Sequence, residues 1–173
     1  MAKPTVVLPK QISLAFLLSQ LGFHVAAGFG RRLAPHHLLP AHAGILRIID
    51  HERGISQQKL ARTLGIFPSR LVLVLDDLEQ RGLINRTISA QDRRKCALQM
   101  TKRGQETLRV IWRVGQEHQK QLCAALSVRE QATLLQLLSK LARQQGLAEG
   151  IHPGFKQSKR LTGMLKLMEG KHP

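Results

Sequence analysis

One segment, Gly54 to Gly104, restricts the fold more than any other, because a helix, a turn, a second helix and a hairpin follow one another in it without spare residues. The pattern gives a short helix over Gln57 to Leu64, closed by a turn at Gly65. A second helix starts at Pro68, whose missing N–H costs nothing in a first turn, and ends before Gly82 at a C′ position. Along it Leu71, Val74, Leu75 and Leu78 recur at i, i+3, i+4 and i+7 and form one core stripe, which leaves Val72 and Leu73 to point outward. Leu83 to Ile88 and Lys95 to Met100 then read as strands. Ile84, Arg86 and Ile88 alternate with Leu83, Asn85 and Thr87, while Cys96, Leu98 and Met100 share one face. Ser89-Ala90-Gln91-Asp92 supplies the turn between them.

Charge gives this segment its chemical direction. From Arg81 to Arg103 there are seven Arg or Lys residues against one acid, Asp92. A rigid hairpin with that balance suits phosphate. A charge run by itself usually marks a solvated surface, but these charges sit on a complete helix-turn-helix pattern. The fold class expected is mainly α with a small β-hairpin wing, a winged helix-turn-helix. The whole chain agrees: 173 residues with 43% apolar content can bury one good core, and a formal charge of +16 favours a polyanion, double-stranded DNA before RNA or an anionic membrane. Aromatic residues make up only 3%, which argues against a single-strand binder that stacks bases.

The run LEQRGLINRTISAQDRRKCALQMTKRG, Leu78 to Gly104, closely resembles the signature of the MarR family of transcriptional regulators. There a Leu-Glu and Arg-Gly-Leu helix end leads into an Asp-Arg-Arg wing and a Leu-x-x-Thr-x-x-Gly helix start. Similarity of pattern extends from about Leu14 to Ala142. The resemblance implies a homodimer on a pseudo-palindromic DNA site, with a recognition helix in the major groove and the wing in the adjacent minor groove. It also implies regulation by a small ligand or by oxidation; a repressor is the expected form, although the choice between repressor and activator depends on where the operator lies relative to the promoter. Carried onto this chain, Asp92 is the wing acid that orients neighbouring arginines, Arg94 enters the minor groove, and Arg93 and Lys95 contact phosphates. Ser69 and Arg70 start the recognition helix, with Val72 and Leu73 on its outer face. Leu73 stands where many members have a polar reader and cannot make a bidentate hydrogen bond to guanine, so direct readout falls to Arg70 and to apolar contact with thymine methyls. Phe67 cannot cap the helix as Ser, Asp or Asn would, which leaves its first amides for a DNA phosphate. A basic architectural or RNA-binding winged-helix protein with weak sequence specificity remains the competing class, on the strength of Leu73 and the excess charge.

The rest of the chain divides around this unit: residues 1–10 as an N-terminal arm, 11–53 as N-terminal helices for dimerisation and support, 54–104 as the DNA-binding unit, 105–147 as C-terminal dimerisation helices, and 148–173 as a basic tail or short helix. Helix one, from about Gln11 to Leu33, carries Leu14, Leu17, Leu18, Leu21, Val25, Phe29 and Leu33 at helical spacing, with Phe16 and Phe23 off that stripe. A helix apolar on more than one face packs on more than one face, so it is expected to meet a second subunit. Ala34 to Pro40 connects it to helix two, Ala41 to Glu52. Thr101 caps a long helix to about Leu126, and Ser127-Val128-Arg129-Glu130 is a capping box for a last helix that includes Leu134 and Leu138 and stops near Gly146.

Further candidates are weaker. His36, His37, His42 and His51 invite a metal reading, but no acid or cysteine stands at a helpful spacing, so no metal and no cofactor is expected. Cys96 and Cys123 form neither a disulfide framework nor a metal motif, and a reducing cytoplasm fits them. Both are candidate redox sensors against a background in which buried thiols are commonly inert. A ligand pocket between helices one, two and five is implied by the family, with Phe23, His42 and Trp112 as its candidates. No nucleophile motif or phosphate-cradling glycine loop appears, so no catalytic residue and no enzyme is expected. Ile12 to Gly30 lacks formal charge, but Ser19, Gln20 and His24 interrupt it and its apolar run is short for a membrane span.

Overall fold

Helix caps and glycine turns divide the polypeptide into six α-helices and one hairpin among the residues described by the computed structural model, 12–88 and 96–152. The order is α1 (Leu14–Leu33), a single 3-10 turn (Ala34–His36), α2 (Pro40–His51), α3 (Gln57–Leu64), α4 (Pro68–Gln80), β1 (Ile84–Ile88), β2 (Cys96–Met100), α5 (Lys102–Leu122) and α6 (Val128–Gln144). The architecture is the mainly α fold with a two-stranded wing expected from the pattern. The arm, the wing tip 89–95 and the tail 153–173 lie outside the described residues.

Helix boundaries follow their caps. Ser13 accepts a hydrogen bond from the Phe16 amide and starts α1 at Leu14, three residues later than the periodicity suggests. α2 begins at Pro40, one residue early, because the proline takes the first helical position and His42 Nδ1 accepts the Leu39 amide at 3.3 Å. α5 ends at Leu122 rather than Leu126. Gln131 Nε2 reaches back from α6 to the carbonyls of Cys123 and Leu126 at 3.4 and 2.9 Å, satisfying the turn that interrupts the helix. The Ser127 capping box is formed, and its hydrogen bonds hold the Glu130 carboxyl below its ordinary pKa.

The core lies where α2, α3, α4 and the hairpin meet. Leu33, Ile45, Leu46, Leu60, Leu71, Leu75, Leu78, Ile84 and Leu98 are fully excluded from solvent. Each such side chain contributes about 1.5–3 kcal/mol relative to an exposed one. The strands pair antiparallel with Ile84 opposite Met100 and Ile88 opposite Cys96. A bridge between Ser56 and Ala97, with Leu98 N donating to Ile55 O at 3.0 Å, ties the start of α3 to β2. The hairpin is therefore fixed to both helices of the helix-turn-helix.

Position 104 shows why the motif ends in glycine. Thr101 caps α5 and donates from its hydroxyl to Gly82 O at 2.7 Å, which draws the first turn of α5 against the end of α4. A Cβ at Gly104 would stand 2.0 Å from the Leu83 carbonyl oxygen. Only a residue without a side chain permits that approach.

Candidate nucleic-acid interface

α3 and α4 are joined by Gly65, which adopts a left-handed conformation (φ 64°) and donates its amide to the end of α3. Leu60, Ala61 and Leu64 on α3 and Leu71, Val74, Leu75 and Leu78 on α4 hold the two helices on one core. This leaves the opening of α4 outside: Ser69 and Arg70 are exposed, Leu73 is 47% exposed, and Val72 is half-buried. Phe67 is 71% exposed and provides no side-chain cap, as its chemistry requires. Fewer amides are free there than the sequence suggests. Arg70 N already bonds Phe67 O at 3.0 Å and Pro68 has no N–H, so Ser69 alone among the first three residues of α4 offers an unclaimed donor.

The hairpin's charge is also less uniform than its composition. Arg81 donates from Nε to Asp77 Oδ2 and from Nη1 to the His37 carbonyl, both at 2.8 Å. Arg86 reaches from β1 to α4, where Nη2 meets Asp76 Oδ1 at 2.5 Å, Nη1 meets Glu79 Oε2 at 3.0 Å, and its amide donates to Glu79 Oε1 at 3.1 Å. These two of the seven cations brace the structure. Asp76, Asp77 and Glu79 on the last turns of α4 were the available signal, since Asp77 and Arg81 stand at i, i+4. Lys102 and Arg103 remain exposed at the start of α5, while Asp92, Arg93, Arg94 and Lys95 lie outside the described residues.

Beneath this surface His42 is fully buried at the junction of α2 and α4. With Nδ1 accepting from Leu39, the ring hydrogen belongs to Nε2, which stands 3.3 Å from Asp77 Oδ2 without hydrogen-bond alignment. Burial lowers its pKa from 6.5 to about 4; Asp77 raises it and Arg81 lowers it further. His42 is thus a neutral core residue that faces the recognition helix.

The remaining candidates are scattered. Phe23 is 76% and Trp112 69% exposed, so these two and the buried His42 do not enclose a common cavity within the chain. Leu14, Leu17, Leu18 and Leu21 on α1 and Leu134 and Leu138 on α6 are exposed, and α6 has no buried residue. Cys123 is a free, half-buried thiol at the end of α5; the Cys96 side chain lies outside the described residues. Among the described residues no group of three His, Cys, Asp or Glu side chains could hold a metal ion, and no helix is long and apolar enough to cross a membrane.

A helix-turn-helix whose second helix opens on the exposed Ser69 and Arg70, beside a fixed hairpin, defines a winged-helix protein of the DNA-binding class. Residues 40–96 match the profile of the MarR family. A protein from Thauera aromatica, assigned to transcriptional regulation of the hcr operon, is 34% identical over 136 residues, which cover 74% of this chain and 82% of that one. The transcriptional repressor CouR, in a structure bound to a 23-mer DNA duplex, is 34% identical with a TM-score of 0.67 over 75% of this chain and 92% of its own. CouR bound to p-coumaroyl-CoA gives 32% identity and a TM-score of 0.63, covering 76% and 92%. The chain belongs to the MarR family and is a DNA-binding transcriptional regulator.

Proposed function

We propose that the chain works as a homodimeric repressor in the cytoplasm, seating the two α4 helices in successive major grooves of a pseudo-palindromic operator and the two wings in the flanking minor grooves. The observation that carries this reading is the exposed pair Ser69–Arg70 at the opening of a helix whose opposite stripe is locked into the core. In this reading Arg70 reads guanine and the Ser69 amide takes a phosphate. Arg93, Arg94 and Lys95, ordered by Asp92, would add the wing contacts. The exposed leucines of α1 and α6 support the dimer, because an apolar stripe on helices with little burial of their own needs a partner surface. Residues 54–104 then form the reading unit and the helices on either side hold two such units about one helical turn apart.

A small organic ligand is proposed to release the operator, in line with the p-coumaroyl-CoA bound to CouR. Oxidation at Cys123 or Cys96 is the alternative trigger. The two are separated by comparing operator release by ligand and by peroxide in the wild type and in Cys96→Ser and Cys123→Ser.

The test of the main reading is selection of bound genomic fragments followed by competition with random duplex at one salt concentration. A regulator should prefer its site by about 10³-fold or more. A smaller ratio would favour an architectural or RNA-binding role, a reading supported by Leu73 at the reading face. Light scattering of the purified chain tests the dimer: a monomer at micromolar concentration would overturn it.

A further inference from the structure

Between α1 and α5 lies a cleft of about 350 Å³ that none of Phe23, His42 and Trp112 lines. Its walls carry His24, Arg31 and Arg32 from α1 and His118 and Gln121 from α5, with no carboxylate among them. Elsewhere the chain neutralises its half-buried arginines, as Arg81 and Arg86 show. Neither Arg31 nor Arg32 has a carboxylate partner among the described residues.

Arg32 is nevertheless held in place. Its Nε donates to His118 Nδ1 at 3.3 Å and its Nη2 donates to Gln121 Oε1. The His118 ring is fixed in turn by a bond from Nε2 to the Val25 carbonyl at 3.1 Å. The two helices approach closely because position 28 has no side chain: a Cβ on Gly28 would stand 2.9 Å from His118 Cε1. A guanidinium has five N–H donors, and neutral acceptors occupy two of them, so Arg32 keeps its charge and several donors for an incoming anion. Both arginines lie in the last turn of α1, where the helix dipole favours a cation. The dipole explains the charge. It does not explain why one arginine is tied across to a second helix by neutral groups.

We propose that this cleft is an anion subsite that takes the phosphate or diphosphate group of a small organic effector. A planar guanidinium fork matches phosphate oxygens two at a time, and the volume lies at the lower end of the ~300–1,000 Å³ typical of small-ligand pockets. It accommodates a phosphorylated head with the remainder of the ligand outside. α5 begins two residues beyond β2, welded there by Thr101 and Gly104. An anion that draws Arg31 and Arg32 towards α5 therefore acts on the helix that carries the wing. Binding stands on the geometry of this cleft alone; release of DNA rests in addition on the repressor reading.

The experiment is calorimetric titration of the full-length protein with inorganic pyrophosphate at constant ionic strength, alongside Arg31→Gln, Arg32→Gln and Arg113→Gln, the last an exposed α5 arginine outside the cleft. Saturable binding is expected, weakened tenfold or more by either α1 substitution and unchanged by Arg113→Gln, with thermal melting used to show that each variant is folded. Should Arg32→Gln fail to fold, Arg31→Gln decides the matter. Absence of saturable heat in the wild type, or equal binding by a folded Arg31→Gln, overturns the subsite. A second arm follows a selected duplex by fluorescence anisotropy. Displacement by pyrophosphate from the wild type but not from Arg31→Gln supports the effector role, whereas tight pyrophosphate binding that leaves the duplex bound overturns that role and keeps the subsite. If Arg31→Gln instead weakens DNA binding and lowers the salt slope by about one without affecting pyrophosphate, these arginines are DNA contacts and the proposal fails.

Discussion

Replacing His42 with Gln should remove most of the acid sensitivity that the α2–α4 junction contributes to stability. In the folded chain burial holds this imidazole to about 4, against 6.5 when it is exposed. The sign follows from which state takes up the proton. Above 6.5 the ring is neutral in both states and its full contribution is present. As pH falls the unfolded chain is protonated first, so stability is lost from 6.5 downward and the loss levels off below about 4. At about 1.4 kcal/mol per pH unit the whole gap corresponds to roughly 3 kcal/mol, and about 2 kcal/mol is already lost at pH 5. Gln is the informative substitute because His42 occupies the third position of α2 and accepts the Leu39 amide, a role a Gln side chain also fills. Urea unfolding at pH 7.5 and pH 5 for the two proteins isolates the effect, since the carboxylates titrate in both. The wild type should lose about 2 kcal/mol more than His42→Gln between these pH values. An equal loss would show that the ring is protonated in the folded state as readily as in the unfolded one, and the account of Asp77 facing a neutral imidazole would be wrong.

Other expectations are more local. Gly104→Ala places a Cβ against the Leu83 carbonyl and should cost about 3 kcal/mol or more, at the upper end for overpacking, read as a fall in melting temperature. Phe67→Asp supplies the missing cap on α4 and should stabilise the fold by about 1 kcal/mol while weakening DNA binding through repulsion of phosphate; unchanged affinity would remove the phosphate from that helix start. Arg86→Ala should reduce stability by about 1–2 kcal/mol and also lower DNA affinity, because Asp76 and Glu79 would then present unpaired charge beside the duplex. For Arg94→Ala, footprinting should show lost minor-groove protection with weaker binding, whereas Lys95→Ala should weaken all duplexes alike and lower the salt slope by about one.

The legible parts of the fold are those where one local signal settles one residue. Pro68 and Gly82 bound α4, Ser56 and Gly65 bound α3, and the Ser127–Glu130 box starts α6; all act through the backbone of their own turn. Signals that depend on a partner far along the chain were not readable. Arg86 looked like one more wing cation because its fate is decided by Asp76 and Glu79, ten and seven residues away on another element. His42 read as a pocket candidate because nothing in the sequence shows that Asp77 and Arg81 close over it. The Arg32, His118 and Gln121 cluster was missed for the same reason, as 86 and 89 residues separate its members. Its one local trace is Gly28 in mid-helix, where glycine weakens a helix unless something packs against it.

The same distribution of charge bears on how sharply the protein can read DNA. Asp76, Asp77 and Glu79 neutralise Arg81 and Arg86, so the second half of α4 carries no surplus of positive charge and the exposed opening turn holds Arg70. In the proposed complex, with Leu73 exposed and apolar on the outer face of α4, direct recognition in each half-site would fall mainly to that one arginine. A good bidentate contact discriminates by about 1–3 kcal/mol, so a pair of them in the proposed dimer contributes about 2–6 kcal/mol. A regulator's preference for its own site amounts to about 4–10 kcal/mol. In that complex the difference would come from thymine methyls against Leu73 and Val72 and from the shape of the minor groove under the wing. Specificity in this chain should therefore depend more on A·T-rich flanks, where the groove is narrow, than on the number of guanines in the half-site.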